Sequence, residues 1–288
     1  MSDRYLIHVG AQDKVSLLWQ LELFHYSYEK YIDKSRYDVM YSVTIPNELP
    51  CCSTQLERMK KRMPIVESED CSHKMGYYDP LMNKYLTILD NVLPILEDRH
   101  LIVMDSDIIL LPLFNDWWRL LPQYDVSFEV NGLHRDRVMG FLQWYTSRYD
   151  CFIRPDDCLV APCFILRNTF ARKFLTEYID TIYEAPDKRA AMMCGKGAVV
   201  ARHKYSVSTI PQFAFSGLIL DSPTDIYRYT NIHYYDSFPL FNKRMFVDHT
   251  PFNLERPQFQ IEDEGYPVSD FIWNLIEEYV KNGKPYSS

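Results

Sequence analysis

Only 9 of the 288 residues are glycine, which excludes a low-complexity linker and a β-solenoid. No hydrophobic run approaches the roughly 18 residues of a membrane-spanning helix, so no span is expected. The opening MSDRYLIHVGAQ leads directly into a strand, without a charged region followed by an apolar stretch of signal length. A cytoplasmic protein is the expectation. Cysteine is sparse and unpatterned: 7 residues, an odd number, with no disulfide-scaffold or zinc-knuckle spacing. Cys51 and Cys52 are adjacent, and Cys151, Cys158 and Cys163 form no CxxC, so free thiols in a reducing compartment are expected. G-x-S-x-G, G-x-x-x-x-G-K-[ST] and G-x-G-x-x-G are all missing, which removes the hydrolase-elbow, P-loop and dinucleotide readings. His25, His73, His100, His134 and His203 are scattered, and none belongs to an H-E-x-x-H.

The net charge of −8 argues against a protein that coats nucleic acid with its whole surface. Local basic groups remain at RMKKRM (58–63), LHRDR (133–137) and Arg167, Arg172 and Lys173, each of which also reads as a solvated face. What the chain has in quantity is apolar and aromatic surface: 47% hydrophobic residues, with 22 Tyr and 16 Phe. That composition suits a globular α/β domain with strands and a groove in which rings can stack on sugars or bases.

The pattern opens with strand, helix, strand: YLIHVGA (5–11), SLLWQLELFHYSYEKYI (16–32) and YDVMYSVTI (37–45). In the helix, Leu17, Trp19, Leu21, Phe24, Tyr28 and Tyr31 fall on or near one face. This βαβ unit favours a parallel sheet with right-handed crossovers. Residues 50–75 read as irregular, with a short helix around 54–62. An amphipathic helix over 79–96 follows, starting at Asp79-Pro80, then one strand through HLIVMDSDIILLPL. Asp116 is the expected cap of a short helix, and 124–130 a strand; 131–157 carries little regular signal. Further on, 158–167 reads as a strand, 168–184 as a helix capped by Asn168, and 198–205 and 208–215 as strands. SDFIWNLIEEYVKNG (269–283) reads as the last helix, ending at Gly283. With no repeat and no linker, the expectation is a single α/β domain over 1–288 with a mixed central sheet flanked by helices.

Asp105 and Asp107 stand inside one of the most apolar stretches of the chain. A buried carboxylate is costly unless it is paired, hydrogen-bonded or bound to a metal. Two carboxylates with one residue between them can share a hard divalent cation, which in turn holds a diphosphate. Strand-end caps or salt-bridge partners are the structural alternative.

HLIVMDSDIILLPLFNDWW resembles the D-x-D strand of nucleotide-sugar glycosyltransferases of the GT-A fold, a Rossmann-like single domain. That resemblance implies Mn²⁺ or Mg²⁺ at Asp105 and Asp107 and a UDP-sugar donor, with a nucleotide-sugar half over about 1–120 and an acceptor half over about 121–288. It also implies a His near the C-terminus as third ligand. NIHYYDSFPLFNK (231–243) resembles that segment and offers His233, with Lys243 or Arg244 on phosphate; His249 is the rival ligand.

HVGAQDKVSLLWQLELFHYSYEKY, PLMNKYLTILD and LVAPCFIL are further similar to segments of plant hydroxyproline O-arabinosyltransferases. Phage glycosyltransferases that arabinosylate 5-hydroxymethylcytosine in DNA share this look and suit a chain without a targeting segment. The resemblance thus implies UDP-arabinose or UDP-glucose as donor and double-stranded DNA bearing hydroxymethylcytosine as acceptor. A cell-envelope glycan, lipid or protein acceptor and a non-catalytic nucleotide-sugar-binding protein are the alternatives.

Transfer requires a held nucleotide, a stabilised diphosphate and an acceptor hydroxyl in line with the anomeric carbon. Val9, Gly10, Ala11 and Gln20 are the candidates at the first βα turn, with Asn83, Lys84, Ser106 and Lys243 around the diphosphate. An inverting reaction needs a general base, for which Asp156, Asp157 and Glu129 are candidates; a retaining one does without. A phosphohydrolase of the D-x-D-x-[TV] type is excluded, since DSDIIL lacks Thr or Val at the fifth place.

Overall fold

The computed structural model describes residues 4–47, 53–71, 81–119, 124–129, 135–154, 163–210, 213–234, 241, 244–248, 250–256 and 265–282. Strands Tyr5–Gln12 (β1) and Tyr37–Ile45 (β2) enclose helix Val15–Tyr31 (α1) and pair in parallel from Tyr5 with Tyr37 to Gln12 with Thr44. Helix Ser53–Lys60 (α2) leads to Ile65–Glu69 (β3), which is parallel to β2. Helix Leu81–Thr87 (α3) crosses back to His100–Met104 (β4), which is parallel to β1 on its other side. Ile108–Leu110 (β5), Val126–Glu129 (β6), helix Arg135–Tyr149 (α4) and Phe164–Leu166 (β7) come next. Helices Asn168–Glu184 (α5) and Lys188–His203 (α6) precede Val207–Ile210 (β8), Phe213–Phe215 (β9), Ile219–Leu220 (β10) and Asn231–His233 (β11). Met245–Asp248 (α7), Tyr266–Pro267 (β12) and Val268–Asn282 (α8) complete the described elements.

A mixed seven-stranded sheet runs β3-β2-β1-β4-β7-β6-β8, with β7 antiparallel to both of its neighbours. Smaller sheets pair β5-β11-β9 and β10-β12. Alternation along β1 explains how two cores form on the two faces of the main sheet. Tyr5, Ile7 and Val9 pack toward α1 and α2, whereas Leu6 packs with residues of α3, α4, α5 and α6.

Helix α1 is buried on more than one side. Leu18, Leu21 and Phe24 face the main sheet, while Trp19 and Leu23 join Ile232, Trp273 and Ile276 in a third core beneath the three-stranded sheet and α8. A single apolar stripe therefore understates this helix, which is a middle layer rather than a surface helix.

Several other expectations change. The stretch 105–114 is not one strand: the main sheet ends at Met104, and the chain re-enters as β5 in a different sheet. Residues 65–69, read as irregular, form edge strand β3, and 135–149 within the weak 131–157 stretch form α4. The helix expected over 79–96 is regular only through Thr87; it widens to a π turn over Ile88–Val92 and tightens to a 3-10 turn over Leu93–Ile95. Pro94, lacking an N–H, cannot continue α-helical bonding there. Asp116 lies inside the 3-10 segment Pro112–Arg119 instead of capping it. Asn168 is the first residue of α5, and Arg167 occupies the cap position; the Asn168 side chain donates to the Asp98 carbonyl and accepts from the Thr169 N–H at 2.7 Å.

The expected strand over 198–205 is overturned: residues 198–203 form the C-terminal part of α6, which Lys204 caps. The β-branched pair Val199-Val200 suggested extended chain, but both ends of the helix are specified locally. Asp187 accepts from the Ala190 N–H at 2.9 Å, and Lys204 closes the other end at φ 53°. The small residues between them seat the helix against α5.

Candidate metal and nucleotide site

Asp105-Ser106-Asp107 forms the break between β4 and β5, at the carboxyl end of the parallel strands where ligands of open α/β sheets bind. β5 pairs antiparallel with β11, setting His233 opposite Ile108, and the Tyr234 N–H donates to the Asp107 carbonyl at 3.1 Å. That register brings together groups far apart in sequence: His233 Nε2 lies 3.0 Å from Asp107 Oδ1. One ligand atom each from Asp105, Asp107 and His233 lies within 4.8 Å of the others. Two carboxylates and an imidazole at this spacing suit a divalent cation of the Mn²⁺ or Mg²⁺ kind.

Lys84 projects from α3 and ion-pairs with Asp105, buried at 7% side-chain exposure against 31% for its partner. Burial alone would lower the pKa of its ammonium; the charge of Asp105, then Tyr85 and Asp107, holds it above the ordinary lysine value. Gly10 provides the passage. A Cβ there would lie 2.6 Å from Lys84 Cγ and 2.8 Å from its Cβ, so only glycine lets the lysine stem cross β1 at this level. Next to Gly10 on the same face, His8 is fully buried and meets Ser42 Oγ at 2.9 Å. Burial, reinforced by the nearby positive Lys84, depresses its pKa to about 3, so it stays neutral.

The remaining candidates have defined places. Ser106 Oγ donates to Gln20 Oε1 at 2.9 Å, tying the Asp105–Asp107 turn to α1. Asn83 donates to Asp70 Oδ1 and accepts from the Cys71 N–H, both at 2.9 Å, so it pins the chain after β3. The Val9 side chain is committed to the core, while Gly10 and Ala11 are half-buried. Glu129 ends β6, and its neighbour Phe128 pairs with Phe164, which in turn pairs with Val103; the Glu129 backbone thus reaches the rim that carries Asp105. Arg244 is exposed ahead of α7. Asp156, Asp157, Lys243 and His249 lie outside the described residues.

Lys196 and Tyr85 are functional candidates that pattern reading passed over. Lys196 is buried in α6, its ammonium 3.3 Å from the Tyr85 hydroxyl. Burial raises the Tyr85 pKa, but the positive charges of Lys196 and Lys84 outweigh it and the net direction is downward. The available signal was a lone lysine within the small and apolar run Met192-Met193-Cys194-Gly195-Lys196-Gly197-Ala198-Val199-Val200.

Several basic residues that were candidates for a nucleic-acid groove are paired. Lys60 bonds Glu57 at 2.8 Å and Glu67 at 2.5 Å, Arg62 bonds Glu22 at 3.2 Å, and Arg167 lies 3.7 Å from Asp125. A cleft of about 340 Å³ lined by Tyr31, Tyr227, Tyr266, Phe271, Glu278 and their neighbours holds none of the site residues. No helix among the described residues is long and apolar enough to cross a membrane.

No protein-family model matches the sequence, and no curated protein does. Solved structures match the fold. The apo structure of the WbbM bifunctional glycosyltransferase aligns with a TM-score of 0.56 at 10% identity, over 98% of this chain and 51% of that one. This chain thus spans about half the length of WbbM. The galactosyltransferase LgtC, in complex with donor and acceptor sugar analogues, aligns with a TM-score of 0.52 at 10% identity over 95% of each chain. An active-site mutant of LgtC gives 0.55 at 9% identity, again over 95% of each chain. At such identities the likeness is one of architecture, and the architecture is the GT-A glycosyltransferase fold.

Proposed function

We propose that this chain is a metal-dependent glycosyltransferase that moves a sugar from a UDP-sugar to a hydroxyl acceptor. The observation that carries the reading is the meeting of Asp105, Asp107 and His233 at the carboxyl end of the parallel strands in a GT-A fold. In this reading the three residues hold Mn²⁺ or Mg²⁺, which supplies Lewis-acid neutralisation of the departing diphosphate. Lys84 adds a second positive charge beside Asp105. Gly10 and Ala11 border the nucleotide, Gln20 and Ser106 fix the turn that carries the acids, and Asn83 orders the chain near Asp70. Lys243 is assigned to phosphate. Asp156, Asp157 and Glu129 are assigned to the acceptor side, where one of them serves as base if the anomeric centre inverts.

The sequence resemblance supports arabinose as the sugar and 5-hydroxymethylcytosine in DNA as the acceptor. A glycan hydroxyl is the second reading. It is favoured by the pairing of Lys60, Arg62 and Arg167 with carboxylates, which leaves less free positive surface for a phosphate backbone. The LgtC structure was determined with an acceptor sugar analogue.

The test is UDP release from UDP-arabinose, UDP-glucose and related donors with Mn²⁺, with and without hydroxymethylcytosine DNA. EDTA-sensitive release stimulated by that DNA is the expected result. Metal-dependent release indifferent to DNA moves the acceptor to glycans, and no release from any donor overturns the enzyme reading.

A further inference from the structure

Lys196 is 4% exposed in the middle of α6. Its ammonium lies 5.6, 5.5 and 5.3 Å from the ring centres of Tyr85, Phe164 and Tyr178. Its polar contacts are long: 3.3 Å to the Tyr85 hydroxyl and 3.5 Å to the Met192 carbonyl. Among the described residues it has no carboxylate partner. A buried ammonium in that condition gives up hydration, and three ring faces return part of it.

The cage is built, not incidental. Tyr178 donates to the Met192 carbonyl at 2.6 Å and stands edge-on to Tyr85, with centroids 5.0 Å apart. Gly195 lets that ring approach, because a Cβ there would already lie 3.3 Å from two of its carbons.

Tyr85 links this lysine to the metal site. The Lys84 ammonium rests 5.2 Å from the centre of the same ring and is bonded to Asp105. The order in space is therefore Asp105, Lys84, the Tyr85 ring, Lys196. Asp105 and Asp107 supply two negative charges, and Lys84 and Lys196 supply two positive ones. A divalent cation at the carboxylates leaves a surplus of about two positive charges in a low-dielectric setting. An anion of the charge of a diphosphate removes that surplus.

We infer that Lys196, acting through Tyr85, is a positioning residue for the diphosphate of the donor: it sets the phenol and the Lys84 ammonium beside Asp105, and the positive surplus that a bound cation creates there is removed only when the diphosphate binds with it. The inference rests on the donor reading above and assigns a task to a residue that the metal ligands do not touch.

Three properties separate this role from a packing role. Lys196→Met keeps the length of the side chain and removes the charge, so without ligand the variant melts no lower than wild type. Its affinity for Mn²⁺–UDP falls about tenfold, whereas uridine, which lacks the diphosphate, binds as before. Tyr85→Phe keeps the ring and removes the hydroxyl, and it weakens Mn²⁺–UDP about threefold with the same selectivity. Calorimetric titration with Mn²⁺–UDP and with uridine, together with thermal melts of all three proteins, decides the matter. A Lys196→Met protein that binds Mn²⁺–UDP as tightly as wild type overturns the inference. So does one that melts lower and loses both ligands in proportion, which would make the lysine structural. If Lys196→Met does not fold, equal binding of Mn²⁺–UDP by Tyr85→Phe and wild type overturns it. Wild type that fails to bind Mn²⁺–UDP removes the donor reading itself, together with this inference; normal wild-type binding with an unaffected variant removes this inference alone.

Discussion

Two buried ionic clusters share this fold, and they are built differently. Around Glu22 on α1, a carboxylate with 2% side-chain exposure accepts from the Tyr279 hydroxyl of α8 and from Arg62, which reaches it at 3.2 Å after α2. One negative charge meets one positive charge and a phenol, and three helical segments are tied together. Around Asp105 the charges are spread instead: two acids stand close, one bonded to Lys84 and the other to a histidine, with a second lysine caged by rings behind them. A closed cluster serves the fold. The other sums to zero without matching each charge to an adjacent opposite one, and perturbed charges of this kind collect at functional sites.

Substitutions at the two clusters should break in opposite ways. The largest effect is expected for Asp107→Ala: in the metal reading it removes a ligand of the cation and should lower metal-dependent turnover about 10³-fold, with the fold retained. Mn²⁺ titration and donor turnover alongside a thermal melt check it, and near-normal turnover would remove the metal reading. Glu22→Gln should do the reverse, costing about 2 kcal/mol in urea unfolding while leaving turnover per folded molecule unchanged. The value sits below that of a fully buried pair because Arg62 is 44% exposed. Gly10→Ala touches fold and site together, since the new Cβ must displace the Lys84 stem. A loss of about 1–3 kcal/mol in stability and weaker Mn²⁺–UDP binding are expected, measured by unfolding and titration.

A pH-dependent effect is carried by His8. Its folded pKa of about 3 lies below the unfolded value of 6.5, so between these pH values the unfolded chain binds a proton that the folded chain refuses. Stability is therefore retained above pH 6.5 and lost as pH falls toward 3, at up to about 1.4 kcal/mol per pH unit. His25, lowered to about 4 chiefly by burial, adds to the same window. Replacing His8 by Gln should flatten the slope of denaturation midpoints between pH 6 and 4.5, and an unchanged slope would show that His8 does not carry it.

Legibility in the sequence followed the range of the interactions. The βαβ opening could be read because the short apolar strands at 5–11 and 37–45 and the helical spacing in 16–32 are local patterns. Asp105 and Asp107 stood out because carboxylates in an apolar run conflict with simple burial. Their true position, at a switch between two sheets, depends on the pairing of β5 with β11 more than a hundred residues later, which no local pattern encodes. The same holds for α6, whose Val199-Val200 pair looks extended until packing against α5 decides otherwise. Lys196 went unread for a related reason: one lysine in a small-residue helix looks like a surface residue until Tyr85, Phe164 and Tyr178 are seen to close around it.

The switch between sheets at residues 105–107 also has a mechanical corollary. Asp105 follows the last residue of β4 in the seven-stranded sheet, whereas His233 belongs to the three-stranded sheet that β5 and β9 complete. An ion held by both would rivet the two sheets across their seam, so that loading the site would stiffen the smaller sheet as well as charge the pocket. Backbone amides of β9 and β11 should then exchange more slowly with solvent deuterium after Mn²⁺ is added, while those of β2, whose neighbours in the sheet are β1 and β3, keep their pace.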